Sequence, residues 1–132
     1  EACEDLQELT AAEKMDTAAT ITHSRFWAGT KPGENYSGEW MRQRGIASGH
    51  GHCRLSGSQP SCTLTSQRHT FAHWSECRIL SFREWKRLGS FPDDYHAKTD
   101  KIGKYMIGMS VPPKMTEQVA KAVIEQWLQP NS

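Results

Sequence analysis

The chain has 132 residues, a formal net charge of +1 and a hydrophobic fraction of 36%. This length allows one domain with a buried core, with or without an appendage, and five Trp, four Phe and three Tyr argue against a disordered chain. No run of 18 apolar residues occurs, so the sequence predicts no membrane-spanning segment.

Charge is distributed unevenly along the chain. Residues 1–16 carry six acidic residues and one lysine, a balance of −5, whereas residues 17–68 carry six basic and two acidic residues, a balance of +4. A basic segment interrupted by glycines suits a polyanionic partner, and an ordinary solvated surface explains the same pattern equally well.

The cysteines predict thiols rather than disulfides. They stand at positions 3, 53, 62 and 77 without C-x-x-C spacing, and the sequence shows no signal peptide. We therefore expect reduced cysteines in a cytoplasmic protein. Soft ligands recur at intervals that match no common zinc module, so we predict no metal site, with zinc as the minority alternative; they are His50, His52, Cys53 and Cys62, and His69, His73 and Cys77.

The first half of the chain predicts one helix and little other regular structure. Leu6, Leu9, Ala12 and Met15 have helical spacing within residues 4–16, and the threonine-rich residues 17–22 predict a strand. Seven of the ten glycines fall in residues 28–60, which we expect to be irregular with at most short strands. The tryptophans that we expect in the core, with stacking on nucleotides as the alternative, are Trp27, Trp40 and Trp74.

Short strands are predicted at residues 62–66 and 77–80, and a helix follows them. Ser81 and Glu84 have the spacing of a capping box, which predicts a helix from about Phe82 to Leu88. Gly89 suits a left-handed residue that ends this helix.

The C-terminal helix is the clearest prediction. Pro112 and Pro113 suit its first turn, where a missing N–H donor costs nothing, and Pro130 ends it. An apolar face recurs at three- and four-residue steps and includes Met115, Val119, Val123 and Trp127. Burial of such a face requires a partner surface.

Two blocks within the last third of the chain occur in a recognisable order. The first runs from Arg78 to Tyr95 and the second from Tyr105 to Pro113. Together they resemble the last two sequence motifs of DNA (cytosine-5) methyltransferases. The penultimate motif of that family reads approximately Arg-x-Leu-Thr-x-Arg-Glu-x-x-Arg-Leu-Gln-x-Phe-Pro-Asp, which is matched here, with Ser81 in place of Thr, by Arg78, Leu80, Arg83, Glu84, Arg87, Leu88, Phe91, Pro92 and Asp93.

The last motif of the family reads approximately Tyr-x-x-Ile-Gly-Asn-Ser/Ala-Val-Pro-Pro and precedes a helix. The matching residues are Tyr105, Ile107, Gly108, Ser110, Val111, Pro112 and Pro113. Upstream, residues 60–65 are similar to a Pro-x-x-Thr-Ile-Thr segment of the family. The resemblance covers residues 60–128, and residues 1–59 are placed in the variable target-recognition region by position alone.

The resemblance implies an α+β fragment of a two-domain enzyme whose Rossmann-like catalytic domain is absent from this chain. Residues 1–75 would form a loop-rich, target-recognition-like region with irregular β structure and a few helices. Residues 76–95 would hold the penultimate motif. Residues 96–132 would hold the last motif and an amphipathic helix that docks on the missing catalytic domain.

The resemblance also implies site residues and partners. Gly108, Met109, Ser110 and Val111 would line the S-adenosylmethionine pocket of the complete enzyme. In this context the arginines expected to contact double-stranded DNA, at phosphates or guanine edges, are Arg42, Arg44, Arg54 and Arg68. The structural residues of the penultimate motif would be Arg83, Glu84, Arg87, Phe91, Pro92 and Asp93.

The catalytic residues of the family are missing from the sequence. Its nucleophile is the Cys of a Pro-Cys pair that attacks cytosine, yet Cys62 follows Ser61 and no other Cys follows Pro. We therefore expect the chain alone to be inactive, to need a catalytic domain or complementary subunit from a bacterial or phage restriction-modification system, and to self-associate through its C-terminal helix.

One position departs from the family pattern. Met109 stands where the family has Asn, and a thioether hardly replaces the hydrogen bonds of an amide. We expect altered contacts at this position, and a decayed half-site is the other interpretation. The alternative function is a non-catalytic DNA- or partner-binding module that retains the methyltransferase scaffold.

Overall fold

The protein is represented by a computed structural model that describes Cys3, Leu6 and residues 8–47, 51–67 and 69–128. Within this part of the chain, the structure has six α-helices and a parallel sheet of two very short strands, consistent with the α+β class predicted from the sequence. The elements are α1 (Ala11–Asp16), α2 (Ile21–Phe26), α3 (Ser37–Arg44), β1 (Cys53–Arg54), β2 (Phe71–Ala72), α4 (Phe82–Leu88), α5 (Asp100–Gly108), α6 (Pro113–Val123) and a π-helical segment (Ile124–Leu128).

The small sheet joins distant parts of the sequence. Cys53 pairs with Phe71 in β2, and Arg54 pairs with Ala72. Isolated bridges extend this pairing from Cys53 to Asn35 on one side and from Ala72 to Ile79 on the other, and Arg78 in turn pairs with Ala18. The sheet thus lies between the residues that precede α3 and the segment that enters α4.

Apolar side chains form two adjoining cores. The larger core is centred on Trp85, which is fully buried and meets the Phe71 ring edge-on at 5.5 Å between centroids. The other buried members of this core are Cys53, Leu55, Leu80, Phe82 and Ile107. The smaller core contains Phe26, Tyr36 and Ala72, with Trp27 and Trp40 packed against it, as predicted for these two tryptophans.

Hydroxyl side chains set the starts of the helices on which the two motifs lie. Ser81 Oγ accepts the Glu84 N–H at 3.3 Å, and Glu84 Oε2 accepts the Ser81 N–H at 2.8 Å. The predicted capping box and the predicted bounds of α4 are therefore confirmed. Thr99 caps α5 in the same manner by accepting the Ile102 N–H at 3.2 Å.

The N-terminal helix is tied to both motif helices by ion pairs. Glu13 of α1 accepts two hydrogen bonds from the Arg83 guanidinium of α4, at 2.7 and 3.1 Å. Asp16 lies 3.0 Å from the Nζ atom of Lys104 in α5, whose side chain is fully buried. Helix α1 itself begins at a capping box of Thr10 and Glu13, within the region predicted to be helical.

Three sequence predictions were wrong. Residues 17–22 are not a strand, because the Thr20 hydroxyl accepts the His23 N–H at 3.3 Å and α2 begins at Ile21. Residues 28–60 are not wholly irregular, since α3 forms there and ends at Gly45 in the left-handed conformation (φ 69°). Residues 62–66, predicted as a strand, have no regular secondary structure.

The end of α4 also differs from the prediction. Gly89 has an ordinary negative φ of −77°, and the positive φ falls on Ser90 at 57°. Glycine at position 89 has another explanation, because a Cβ atom there would collide with the Ile107 side chain and lie 3.3 Å from Phe91. Close packing of α4 against α5, rather than backbone conformation, favours glycine at this position.

The C-terminal helix begins as predicted, with Pro112 as its N-cap and Pro113 as its first residue. Its predicted end at Pro130 lies outside the described residues. No helix in the described ranges is both long and apolar enough to cross a membrane.

Candidate functional site

The carboxylate of Glu84 is the polar centre of the penultimate motif. It accepts two hydrogen bonds from the Arg78 guanidinium, at 2.9 and 2.8 Å, in addition to the Ser81 N–H. Burial acts to raise the pKa of Glu84, but the hydrogen bonds from Arg78, His73 and Ser81 outweigh it and hold this pKa well below the usual 4.5. Glu84 is therefore an ionised, structural carboxylate that joins α4 to the segment before it.

His73 has its tautomer fixed by the turn that follows it. Its Nδ1 atom accepts the Ser75 and Glu76 N–H groups, at 3.2 and 3.1 Å. The ring proton therefore lies on Nε2, which is 3.4 Å from a Glu84 oxygen. The turn of residues 73–76 is thereby attached to the same carboxylate.

The Phe-Pro-Asp turn is held to the end of α4. Arg87 donates from two nitrogens to the two Asp93 carboxylate oxygens, at 2.5 and 2.6 Å. Lys86 Nζ donates to the main-chain oxygens of Asp93 and Tyr95, and Phe91 packs against the larger core. These contacts fix residues 86–95 relative to one another and to the larger core.

The last motif combines buried and exposed residues, and Tyr105 at its start is largely exposed. Ile107 is buried, and a Cβ atom on Gly108 would collide with the main chain of Thr65, so only glycine allows this approach. Ser110 Oγ donates to the Ile107 carbonyl at 2.8 Å. The two apolar side chains that follow Gly108 are largely exposed, Met109 at 66% and Val111 at 62%.

Helix α6 contributes no buried residue. Its first turn is anchored where the Lys114 N–H donates to Ser90 Oγ at 3.1 Å, in the turn after α4. The apolar residues that remain exposed on α6 and the π-helical segment, here called the C-terminal apolar face, are Met115, Val119, Val123, Ile124, Trp127 and Leu128.

The candidate DNA-contacting arginines fall into different environments. Arg42 is largely exposed although it contacts Glu39 and donates to the Gly29 carbonyl at 2.7 Å. Arg44 is exposed and lies 4.5 Å from the Trp40 ring centroid. Arg25, which the sequence analysis did not single out, is exposed beside α3, where it donates to Gln43 at 3.4 Å. Arg68 lies outside the described residues.

The Arg54 guanidinium donates its hydrogen bonds to main-chain carbonyls of other loops in the chain. It donates to the Trp74 carbonyl from two nitrogens, at 2.9 and 2.7 Å, and to the Trp27 and Thr30 carbonyls from a third. Its guanidinium carbon also lies 3.6 Å from the Trp27 ring centroid. Arg54 thus joins the main chain of residues 27–30 to that of Trp74, and contact of Arg54 with DNA stays a prediction.

A cleft of about 690 Å³ lies between the N-terminal segment and residues 73–84. Two arginines of its lining are paired within the chain, since Arg83 contacts Glu13, and Arg78 contacts Glu76 and Glu84. In the described part of the chain, no group of three or more His, Cys, Asp or Glu residues could hold a metal ion.

The chain is similar to several bacterial DNA-modifying enzymes. Type II methyltransferase M.BbvI of Brevibacillus brevis is 41% identical over an alignment of 80 residues that covers 56% of this chain and 21% of M.BbvI. Type II methyltransferase M.AquIB of a Picosynechococcus strain is 38% identical over an alignment of 88 residues that covers 57% of this chain and 63% of M.AquIB. Type II methyltransferase M.Eco47II of Escherichia coli is 38% identical over an alignment of 76 residues that covers 54% of this chain and 18% of M.Eco47II.

The matched region spans about a fifth of M.BbvI and less than two thirds of M.AquIB. No solved structure matches the chain significantly. The sequence profile of the family described as C-5 cytosine-specific DNA methylase matches residues 3–125. The chain therefore belongs to the C-5 cytosine-specific DNA methylase family.

Proposed function

We propose that this chain is the C-terminal portion of a DNA (cytosine-5) methyltransferase, in which it recognises DNA and completes the cofactor pocket. The complete enzyme would transfer a methyl group from S-adenosylmethionine to C5 of cytosine. The observation that carries this proposal is the exposed continuation of the last motif. Met109 and Val111 lie on the surface, and the C-terminal apolar face follows directly. Surfaces of this kind suit contact with a second folded unit.

The proposed division of labour follows the three segments of the chain. Residues 1–75 would face DNA, residues 76–95 would brace the small domain, and residues 96–132 would meet a catalytic domain or complementary subunit. The bracing assignment is supported by the ionised Glu84 and by the Arg87–Asp93 pair, which face groups of this chain. Their substitution should act through stability rather than through chemistry.

The residues at the last motif fit one wall of a pocket for S-adenosylmethionine. Met109 and Val111 offer exposed apolar groups that suit an adenine ring or methylene groups, and the contact of Gly108 with the Thr65 main chain supports the segment that carries them. The Ser110 hydroxyl uses its proton on Ile107 but keeps lone pairs that can accept. When bound, S-adenosylmethionine supplies an electrophilic methyl group, and these residues would hold and orient it.

The chain itself offers no nucleophile of the family type. None of its four cysteines follows a proline, so the Pro-Cys thiol would come from the catalytic domain or subunit. The role of this chain in the reaction is then to position DNA and to close the cofactor site. Catalysis would require both units in one assembly.

The DNA-facing surface is proposed to include the α2–α3 region. Arg25, Arg42 and Arg44 are exposed there, within the part of the chain that has a balance of +4. Phosphate contacts of exposed arginines supply sequence-independent affinity and place the protein on the duplex. We propose this role for Arg42 and Arg44 first, because Arg54 has four of its N–H groups directed at carbonyl oxygens.

Reconstitution tests the proposal. The full chain is mixed with a polypeptide from the same genome that carries the Pro-Cys motif, and methyl transfer from labelled S-adenosylmethionine to cytosine-containing DNA is measured. We expect transfer by the mixture and none by either component alone. Methylation by this chain alone would contradict the proposal, as would a mixture that forms no complex.

A non-catalytic module is the second candidate, and Met109 is the residue that favours it. The Met109→Asn variant restores the family amide in the same assay. Under the methyltransferase proposal, both the wild-type chain and Met109→Asn support methylation in the mixture, with different KM values for S-adenosylmethionine. DNA binding without methylation by either version would instead support the module.

A further inference from the structure

The thiols of Cys53 and Cys62 lie side by side. Their Sγ atoms are 3.4 Å apart, although nine positions separate them in the sequence. Cys53 is buried in β1, whereas Cys62 is exposed. All four cysteines are among the described residues, and none forms a disulfide. This pair therefore consists of one accessible and one sheltered thiol in contact.

The surroundings of Cys53 hold its main chain in place. Its N–H donates to the Thr70 carbonyl at 2.9 Å, and its residue pairs with Phe71 on one side and Asn35 on the other. Burial raises the pKa of the Cys53 thiol, and the hydrogen bond to Cys62 adds to this effect. An oxidant from solvent therefore reaches the Cys62 thiol first. The oxidised Cys62 sulfur would then lie beside the Cys53 thiol.

We propose that Cys53 and Cys62 are a reversible oxidation site whose co-substrate is a hydroperoxide. In the first step the Cys62 sulfur attacks the peroxide: an S–O bond forms, the O–O bond breaks, and Cys62 becomes a sulfenic acid while an alcohol or water leaves. In the second step the Cys53 sulfur attacks the Cys62 sulfur, so that an S–S bond forms and the S–O bond breaks.

The two steps balance. The hydroxide that leaves Cys62 takes the proton of the Cys53 thiol and departs as water. Two thiols and one hydroperoxide thus give one disulfide, one alcohol (or a water molecule from hydrogen peroxide) and one water. The two sulfurs lose two electrons in total, and the peroxide gains them. Contact between the sulfurs compensates for the low thiolate fraction of buried Cys53.

The position of the pair connects it to the last motif. Cys62 precedes Thr65 by three residues, and the Thr65 main chain is the group that packs against Gly108. A Cys53–Cys62 bond would tie β1 to this segment. Oxidation would therefore restrain the segment from Cys62 to Thr65 that packs against Gly108 of the last motif. This effect does not depend on the activity of the assembled enzyme.

Peptide mapping of the folded, full-length chain tests the proposal. The chain is treated with hydrogen peroxide, alkylated and digested with trypsin, which leaves each cysteine in a different peptide, namely residues 1–14, 45–54, 55–68 and 69–78. We expect peptides 45–54 and 55–68 to be joined, with a mass two hydrogen atoms below their sum. The chain should lose two of its four thiols and recover them with dithiothreitol.

Matched serine variants complete the experiment. Cys62→Ser changes an exposed residue, so we expect the fold to be retained and the joined peptides to be abolished. Cys77→Ser removes another exposed thiol and should leave their yield unchanged. The proposal is overturned if Cys62 is found linked to Cys3, Cys77 or a second chain as often as to Cys53. It is also overturned if Cys53 and Cys62 both remain alkylatable after oxidation of other thiols.

Discussion

At the scale of single residues, Glu84 and Glu76 offer a direct comparison, because both pair with Arg78. The Glu84 side chain is 7% exposed and that of Glu76 is 60% exposed. Glu84→Gln would leave the buried Arg78 guanidinium without its main partner, and we expect a loss of roughly 3 kcal/mol in the free energy of unfolding. Glu76→Gln should cost about 0–1 kcal/mol. Urea unfolding of both variants at neutral pH measures the difference, and equal losses would contradict the structural role of Glu84.

The same carboxylate predicts a pH dependence. Because its pKa is lowered in the folded state, the stabilisation by Glu84 is complete well above its unfolded pKa near 4.5 and is lost as the pH falls below that value. The Glu84→Gln variant lacks this contribution. The difference in unfolding free energy between wild type and variant should therefore shrink on acidification below about pH 4.5.

Gly108 supports a third prediction at this scale. A Cβ atom there meets the Thr65 main chain, which moves less readily than a side chain. We expect Gly108→Ala to reduce stability by about 1–3 kcal/mol. Gly38→Ala is the matched control, since nothing lies within 4 Å of a Cβ atom at that helical position, and it should be neutral or slightly stabilising. Thermal unfolding of the two variants in parallel decides whether close packing explains the glycine of the last motif.

Arg44 supports a prediction about the affinity of the chain for DNA. Arg44→Gln should weaken binding to duplexes of different sequence to a similar extent and reduce the slope of log K against log salt by about 1. Lys101→Gln, which removes an exposed cation from α5, should leave both quantities unchanged. Fluorescence anisotropy over a range of salt concentrations measures these effects. An unchanged slope for Arg44→Gln would remove α3 from the proposed DNA surface.

Single residues also show which parts of the site the sequence predicts. The Ser81–Glu84 capping box is local, and its geometry follows from the spacing of two residues. The position of Arg54 is not local, because its carbonyl partners come from Trp27, Thr30 and Trp74. Charge pattern therefore identified Arg54 as a candidate but gave no indication that its guanidinium is committed within the chain.

At the scale of elements, the same distinction separates correct from wrong predictions. Helix α4 was predicted from a serine cap, and helix α6 from the prolines of its first turn and the spacing of its apolar residues, all of which are local in the sequence. Helix α3 was missed because Gly38 lies in its first turn, within a glycine-rich stretch. Helix α5 was missed because its buried side is formed by Gly103, Lys104 and Ile107, which do not make an apolar stripe.

Helix α6 supports a prediction about docking. Val119 is exposed on the C-terminal apolar face, so Val119→Asp should leave the unfolding free energy of this chain within about 0.5 kcal/mol of wild type. The same variant should abolish binding to the catalytic polypeptide. Lys121→Ala alters the polar side of α6, where Lys121 contacts Glu117, and should bind normally. Isothermal titration calorimetry provides the measurement, and normal binding by Val119→Asp would exclude this face as the docking surface.

At the scale of the whole molecule, the exposed helix predicts self-association in the absence of a partner. Trp127 is 80% exposed at the far end of the apolar face, and contiguous apolar patches tend to find contacts. Sedimentation velocity should show an average mass that rises with concentration for the wild-type chain and stays monomeric for Val119→Asp. A wild-type chain that remains monomeric at high concentration would contradict the prediction.

The whole-molecule arrangement explains what sequence motifs leave open. The order of the motifs indicated the family, and the family profile over residues 3–125 agrees with it. The motifs did not indicate that α1 would be joined to both motif helices, because the Glu13–Arg83 and Asp16–Lys104 pairs connect residues 70 and 88 positions apart. Such pairs depend on the complete fold.

The turn at Ser90 has a mechanical consequence. Its hydroxyl oxygen receives the Lys114 N–H, and its left-handed backbone directs the chain out of α4. Helix α6 has 11 residues, which correspond to about 16 Å. A small change in the angle of α6 at the Ser90–Lys114 contact would therefore move the C-terminal end of this helix by a much larger distance. The Ser90–Lys114 contact would thus influence the direction of α6, although it lies at the opposite end of this helical segment from Trp127.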